Sequence, residues 1–160
     1  MTIEVVLADY RDSAQAAALV ELLDGYARDP AGGGTPLSAQ VRAELPAALA
    51  ARPQAFSVLA YDNGQPVGLI NCVEGFSTFA CRPLVNVHDV VVAPSHRGQR
   101  LAQRMLEKVE QEARARGACK LTLEVLSGNV SARKAYEREG FADYQLDPAF
   151  GSAMFMQKKL

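Results

Sequence analysis

Residues 90–102 read Val-Val-Val-Ala-Pro-Ser-His-Arg-Gly-Gln-Arg-Leu-Ala, a β-branched run that turns through Pro94 into the start of an amphipathic helix. The first N–H groups of a helix have no partners within it, and the aligned peptide dipoles add partial positive charge there, so such an end attracts anions. Gly98 has no side chain and lets a ligand come close to the backbone. Arg97 and Arg100 add formal positive charge beside it. A pyrophosphate would satisfy all three features. The same residues also describe an ordinary amphipathic helix opened by glycine and flanked by two solvated arginines, and this segment alone leaves both readings open.

Little else in the chain has the spacing of a chemical motif. Cys72, Cys81 and Cys119 are odd in number and at no metal-ligand spacing, so free buried or half-buried thiols in a reducing cytoplasm are expected, with no metal site. Gly32-Gly33-Gly34 is not followed by Gly-Lys-Ser/Thr, so residues 29–36 read as a mobile connection rather than a phosphate loop. With 17 basic and 18 acidic residues the net charge is −1, unlike the strongly basic balance of nucleic-acid-binding domains. No apolar run is long enough to span a bilayer, and the short acidic start lacks the features of a signal peptide. A cytoplasmic protein with neither a nucleic-acid nor a membrane partner is expected.

The elements that must position residues 90–102 follow from the periodicity. At 160 residues and 49% apolar composition, one domain with a true core is expected. Residues 3–8 read as a strand, and Asp12 or Ser13 caps a helix to about Ala27 whose Leu19, Val20, Leu23 and Tyr26 share a face. Ser38 opens a second helix that Pro46 should kink or divide. Residues 55–62 and 66–76 form a hairpin around Asn63-Gly64, and 84–92 is a long β-branched strand. A helix over 98–116, stopped by Gly117, puts Leu101, Met105, Leu106, Val109 and Ala113 on one face. Then come a strand over 119–126, a short helix from Asn129 to Glu139 closed by Gly140, and a last hairpin of 141–146 with 153–159. This order predicts an α/β (α+β) domain with a mixed, mostly antiparallel sheet and helices on both faces.

At this point the chain resembles the GCN5-related N-acetyltransferases. Their phosphate loop, Arg/Gln-x-x-Gly-x-Gly/Ala, is matched by Arg97-Gly98-Gln99-Arg100-Leu101-Ala102, with Arg100 standing where glycine is usual. Downstream, Asn129, Ala132, Tyr136 and Gly140-Phe141 fall at the family's spacing for Asn, Ala, Tyr and Gly-Phe. The likeness covers residues 84–160 well, and the earlier part only in element order.

The resemblance implies acetyl-CoA as cosubstrate, without a metal, and direct attack on its thioester by an amine. It implies strands over 87–92 and 119–126 that splay at their C-terminal ends, so that Val90, Val91 and Val92 bond the pantetheine while residues 97–102 hold the phosphates. Tyr136 takes the role of proton donor to the departing thiolate, with ring packing as the alternative. Asn129 caps its helix and contacts the cofactor arm. His88 holds the place of the general base in diamine and arylalkylamine acetyltransferases; its ordinary pKa near 6.5 suits removal of a proton from an ammonium of pKa near 10, and a structural histidine is the alternative. Strand alternation puts Asn86, His88, Val90 and Val92 on one side and Val87, Asp89 and Val91 on the other. Glu74 is a second candidate base or acceptor anchor. Phe76 and Phe79 wall an acceptor pocket or pack in the core. Asp89 orients a neighbour, binds a cationic acceptor or bonds backbone at a bulge, and Asp24 and Asp29 are further acids that select a cation or are solvated surface. His96 is peripheral. A small-molecule amine is the expected acceptor, with a protein or peptide acceptor, or a non-catalytic acyl-CoA sensor, as alternatives. Dimerisation is common in the family, although no residue here marks an interface.

Overall fold

The computed structural model describes residues 2–160. The chain divides into two compact units, one ending at Leu123 and the other running from Glu124 to Leu160.

The first unit is a five-stranded sheet in the order β1 (Ile3–Leu7), β2 (Ala55–Asp62), β3 (Gln65–Ser77), β4 (Arg82–Val92) and β5 (Leu121–Leu123). Successive strands from β1 to β4 pair antiparallel, and β5 pairs parallel to β4. Helices α1 (Ser13–Arg28) and α2 (Ala39–Ala50) follow β1, and α3 (Leu101–Ala115) links β4 to β5. The β2–β3 turn is the two-residue type that Asn-Gly favours, with φ of 50° at Asn63 and 80° at Gly64.

Register sorts the side chains by face. Leu59, Leu69 and Val91 lie opposite one another across β2, β3 and β4 and pack with Ala18 and Leu19 of α1. On the other face Met105 of α3 sits against Gly68 and is fully buried. Helices therefore cover both faces, as expected. The caps follow the sequence reading: Asp12 accepts from Gln15 N at 2.9 Å, and Ser38 Oγ accepts from Val41 N at 3.1 Å. Helix α2 runs through Pro46 without dividing. Among the described residues no helix is long and apolar enough to cross a membrane, and no His, Cys, Asp and Glu group is arranged to hold a metal.

The connection after α1 differs from the expected mobile segment. It holds a 3-10 turn at Pro30–Gly32, where Asp29 O accepts from Gly32 N at 2.9 Å and Gly34 N at 3.0 Å. Asp24, nearly buried, accepts from Leu37 N at 2.9 Å and pairs with Arg28 at 3.3 Å. Asp29 accepts from Ala31 N at 2.9 Å and lies 3.7 Å from Arg97. Both acids are used in shaping this connection.

In the second unit, α4 (Val130–Arg138) is followed by a 3-10 turn at Pro148–Phe150. The expected hairpin of 141–146 with 153–159 does not form: both arms are irregular, and one backbone bond, Ala153 N to Tyr144 O at 3.4 Å, joins them. Leu146 and Phe155 are exposed, so the ribbon has no buried face, and an unpacked two-stranded ribbon is only marginally stable.

Candidate active site

The turn between β4 and α3 is built differently from a simple glycine-started helix. Arg97 is extended, Gly98 has φ of 76°, and Arg100, the residue before the helix, has φ of 59° and ψ of 26°. The helix thus starts at Leu101, three residues later than the sequence predicts, and Leu101 anchors that start by burying its side chain. No side chain caps it. The first N–H of α3 with a backbone acceptor is that of Arg104, which bonds Arg100 O at 3.2 Å. Among the described residues, the N–H groups of 98–103 donate to no protein acceptor. They form an exposed row of donors at the positive end of a 15-residue helix.

The left-handed backbone at Arg100 explains why glycine is usual at this position. An L-residue there costs about 1–2 kcal/mol, and its positive charge opposes the helix dipole. Arg100→Gly is therefore expected to leave unfolding stability unchanged or raise it by up to about 1 kcal/mol, after the extra chain entropy of glycine is set against the relief. Arg100→Val should lower stability by about 1–2 kcal/mol, because a β-branched residue tolerates this conformation least. Urea unfolding of the three proteins checks both, and a stable Val variant would refute the strain.

His96 holds the same turn in place. Its Nε2 bonds Asp62 Oδ2 at 2.8 Å and its Nδ1 bonds Ser95 Oγ at 2.8 Å, which tethers the turn to the β2–β3 hairpin and keeps the ring away from chemistry. The His96 bond, with help from Thr2 N, holds the Asp62 carboxyl below its ordinary pKa of 3.8. A depressed carboxyl stabilises the fold above its unfolded pKa, and that contribution is lost as pH falls through the folded value. The stability difference between wild type and Asp62→Asn should shrink below about pH 4. A difference that does not change down to the acid transition would contradict the linkage.

Strand β4 contains the second feature. Asn71 pairs with Asp89 while Cys72 pairs with Val87, so His88 is an extra residue, a β-bulge. The bulge breaks the simple alternation expected for this strand. Val90 and Val92 share the face of Val87, while Asn86, Asp89 and Val91 share the other. It also reverses the backbone. Val85 N–H points toward β5, donating to Lys120 O at 3.1 Å, but Ala93 N–H points toward β3, donating to Val67 O at 2.8 Å. By alternation the N–H and C=O groups of Val90 and Val92 face away from β3. The ladder to β5 covers only Val85–Val87 against Leu121–Leu123, shorter than the strand predicted over 119–126. Beyond Val87 the open side of β4 has no strand partner among the described residues. Arg97 Nε reaches the outward carbonyl of Val92 at 3.4 Å. Val91, by contrast, has its side chain in the α1 core and its backbone turned to β3, which removes it from the groups open to a ligand.

The exposed ring of His88 carries Nδ1 against Asn86 Oδ1, and Asn86 Nδ2 donates to Thr122 Oγ1 at 2.8 Å. With its amide so oriented, Asn86 accepts from Nδ1–H and leaves the Nε2 lone pair open to take a proton. Asp89, on the same face as Asn86, accepts from Asn71 Nδ2 at 3.1 Å.

Other predicted residues lie elsewhere. Glu74 pairs with Arg116 at 3.3 Å and stands opposite Val85, three residues before His88. Phe76 and Phe79 are 59% and 97% exposed. They sit where β3 and β4 run on past the end of β2, so they do not join the core. Cys72 is buried, and burial pushes its thiol pKa up to about 12, so it is an inert core residue; Cys81 and Cys119 are exposed free thiols.

In the second unit the downstream motif resolves into helix capping. Asn129 Oδ1 accepts from Ala132 N at 3.2 Å. At the other end Gly140, with φ of 92°, lets Phe141 N bond Tyr136 O and Gly140 N bond Glu137 O, both at 3.1 Å. The Tyr136 and Phe141 rings meet edge to face at 6.0 Å. Spacing from Asn to Gly-Phe is thus the length of one capped helix, and the Tyr136 ring packs at its end.

The sequence profile of the acetyltransferase (GNAT) family matches residues 37–141. Streptothricin acetyltransferase of Streptomyces lavendulae is 42% identical over 65 residues, 41% of this chain and 34% of that protein. Aminoalkylphosphonate N-acetyltransferase of Salmonella typhimurium (strain LT2) is 36% identical over 86 residues, 52% of this chain and 54% of that protein. The chain spans about a third to a half of the length of these curated relatives. In fold it is similar to ribosomal-protein-alanine N-acetyltransferase from Brucella melitensis biovar Abortus 2308, with a TM-score of 0.76 and 20% identity over 98% of this chain and 100% of that one. The profile match, which takes in the bulged strand, the donor row and the capped helix, makes this chain a member of the acetyltransferase (GNAT) family.

Proposed function

We propose that the chain is a single N-acetyltransferase domain that moves the acetyl group of acetyl-CoA onto an amine of a small molecule. The observation that carries this reading is the row of unpaired N–H groups over residues 98–103 beside the open side of β4. The donor row, with Arg97 and Arg100, suits the phosphates of coenzyme A, and the outward groups of Val90 and Val92 suit the amides of its arm. Small acceptors are supported by the names of streptothricin and aminoalkylphosphonate acetyltransferases among the relatives.

Bound acetyl-CoA supplies an acetyl thioester that a neutral amine attacks directly. An alkyl ammonium must first lose a proton, and Nε2 of His88 is the acceptor for it, with Asn86 holding the opposite ring nitrogen. The phenol of Tyr136 supplies the proton that the departing sulfur needs. Asn129 keeps α4 capped so that Tyr136 is held on a defined helix end.

Acetyl-CoA at about a hundredfold excess over its Kd should stabilise the protein by about 2.7 kcal/mol, which for a domain of this size is a rise in Tm of roughly 5–10 °C. No shift at millimolar acetyl-CoA would end the reading. A screen that follows thiol release across amines, amino acids, aminoglycosides and peptides then fixes the acceptor. Turnover of peptides alone would move the assignment to a protein acetyltransferase, and tight binding with no turnover to an acyl-CoA sensor.

A further inference from the structure

One row of polar side chains crosses the mostly apolar face under α1. Ser57 of β2, Asn71 of β3 and Asp89 of β4 lie opposite one another in register, two residues from the Leu59, Leu69 and Val91 row of the core. Ser57 Oγ donates to Asn71 Oδ1 at 2.6 Å, and Asn71 Nδ2 donates to Asp89 Oδ2 at 3.1 Å. Tyr10 Oη lies 2.8 Å from Ser57 Oγ. Ser57 and Asn71 are buried, at 1% and 8% exposure, and polar groups so placed are costly unless each is satisfied.

The direction of this chain of bonds is set at its inner end. An ionised carboxylate only accepts, so Asn71 must turn its NH2 toward Asp89 and its carbonyl toward Ser57. Ser57 then gives its single hydrogen to Asn71, and Tyr10 must donate to Ser57. Burial raises the pKa of Tyr10, which keeps that donor protonated. Such a chain does not conduct protons, since a neutral amide cannot accept one on oxygen and release another from nitrogen without passing through a high-energy tautomer. It acts instead as a fixed brace, with every dipole pointing its positive end toward Asp89.

Asp89 itself is left with an unusual balance. It forms no ion pair, and Oδ1 has no hydrogen-bond partner among the described residues. It adjoins the bulge residue His88 on the strand whose open side faces the donor row. A braced, half-buried carboxylate without a protein cation beside the base is suited to a cation brought by the substrate.

We propose that Asp89 binds a second positive charge on the acceptor, so that dicationic amines are preferred, and that Asn71, Ser57 and Tyr10 are positioning residues that fix its carboxylate. This inference rests on the N-acetyltransferase reading and names the substrate class within it.

The test measures binding of 1,4-diaminobutane and of butylamine to the folded protein with coenzyme A present, by calorimetry. The diamine should bind at least tenfold more tightly, and Asp89→Asn should abolish the preference. Glu107→Gln, an acid removed from the exposed side of α3, should keep it. Ser57→Ala and Asn71→Ala should each reduce the preference severalfold; a purely structural role would lower their Tm without changing the ratio. Equal binding of the two amines by the wild type, or a preference that survives Asp89→Asn, overturns the proposal. The acetyl-CoA thermal shift is read separately on the same proteins. Its absence would remove the transferase reading, whereas equal amine binding with a normal shift would remove only the role of Asp89.

Discussion

His88→Ala is expected to lower kcat by about 10²–10⁴-fold, the usual loss when a positioned general base is removed. The acid limb of the pH–rate profile should disappear in the same variant. The geometry behind this expectation is the pairing of Nδ1 with Asn86 Oδ1 and of Asn86 Nδ2 with Thr122 Oγ1, which leaves Nε2 as the basic nitrogen. Asn86→Ala should therefore keep the limb but reduce kcat by roughly tenfold, because the tautomer is no longer held. An acid limb unchanged in His88→Ala would remove the histidine from the mechanism, whatever the size of the rate loss.

Tyr136→Phe should reduce kcat by about 10²–10³-fold, or roughly 3–4 kcal/mol in the barrier, with KM for acetyl-CoA changed by no more than about threefold. The substitution removes one oxygen and keeps the ring, so the edge-to-face contact with Phe141 and the bonds that close α4 should persist. An unchanged Tm beside a large loss of kcat separates proton donation from packing. Equal turnover by the two proteins would leave Tyr136 with its structural role alone.

Much of this was legible in the sequence because the relevant signals are local. Helix caps at Asp12, Ser38 and Asn129, the Asn63-Gly64 turn and the apolar stripe of α3 each depend on a few neighbouring residues, and each forms as read. The donor row was foreseeable for the same reason. A bulge was one reading of Asp89, but its place at His88 was not legible, because Val90, Val91 and Val92 are apolar on both faces and leave no break in alternation to mark an added residue. Register with β3 is what reveals it. Ser57 and Asn71 were missed although a signal existed: a polar residue in a run of Val, Leu and Ile must find a partner once buried. The Glu74–Arg116 pair was not legible either, because the two residues are 42 apart in sequence and adjacent only in the fold. The predicted hairpin over 141–159 had strand-like composition, but composition does not supply a face to bury.

The extra residue in β4 has a consequence for how this strand tolerates change. Side-chain replacements between Val87 and Val92 alter one contact at a time. Removing His88, by contrast, would leave Val87 and Asp89 adjacent with Cys72 and Asn71 still opposite them, so the ladder to β3 would close into a regular one and no residue would stand outside it. The count of residues here, more than the identity of the valines, is thus what sets His88 outside the pairing with β3.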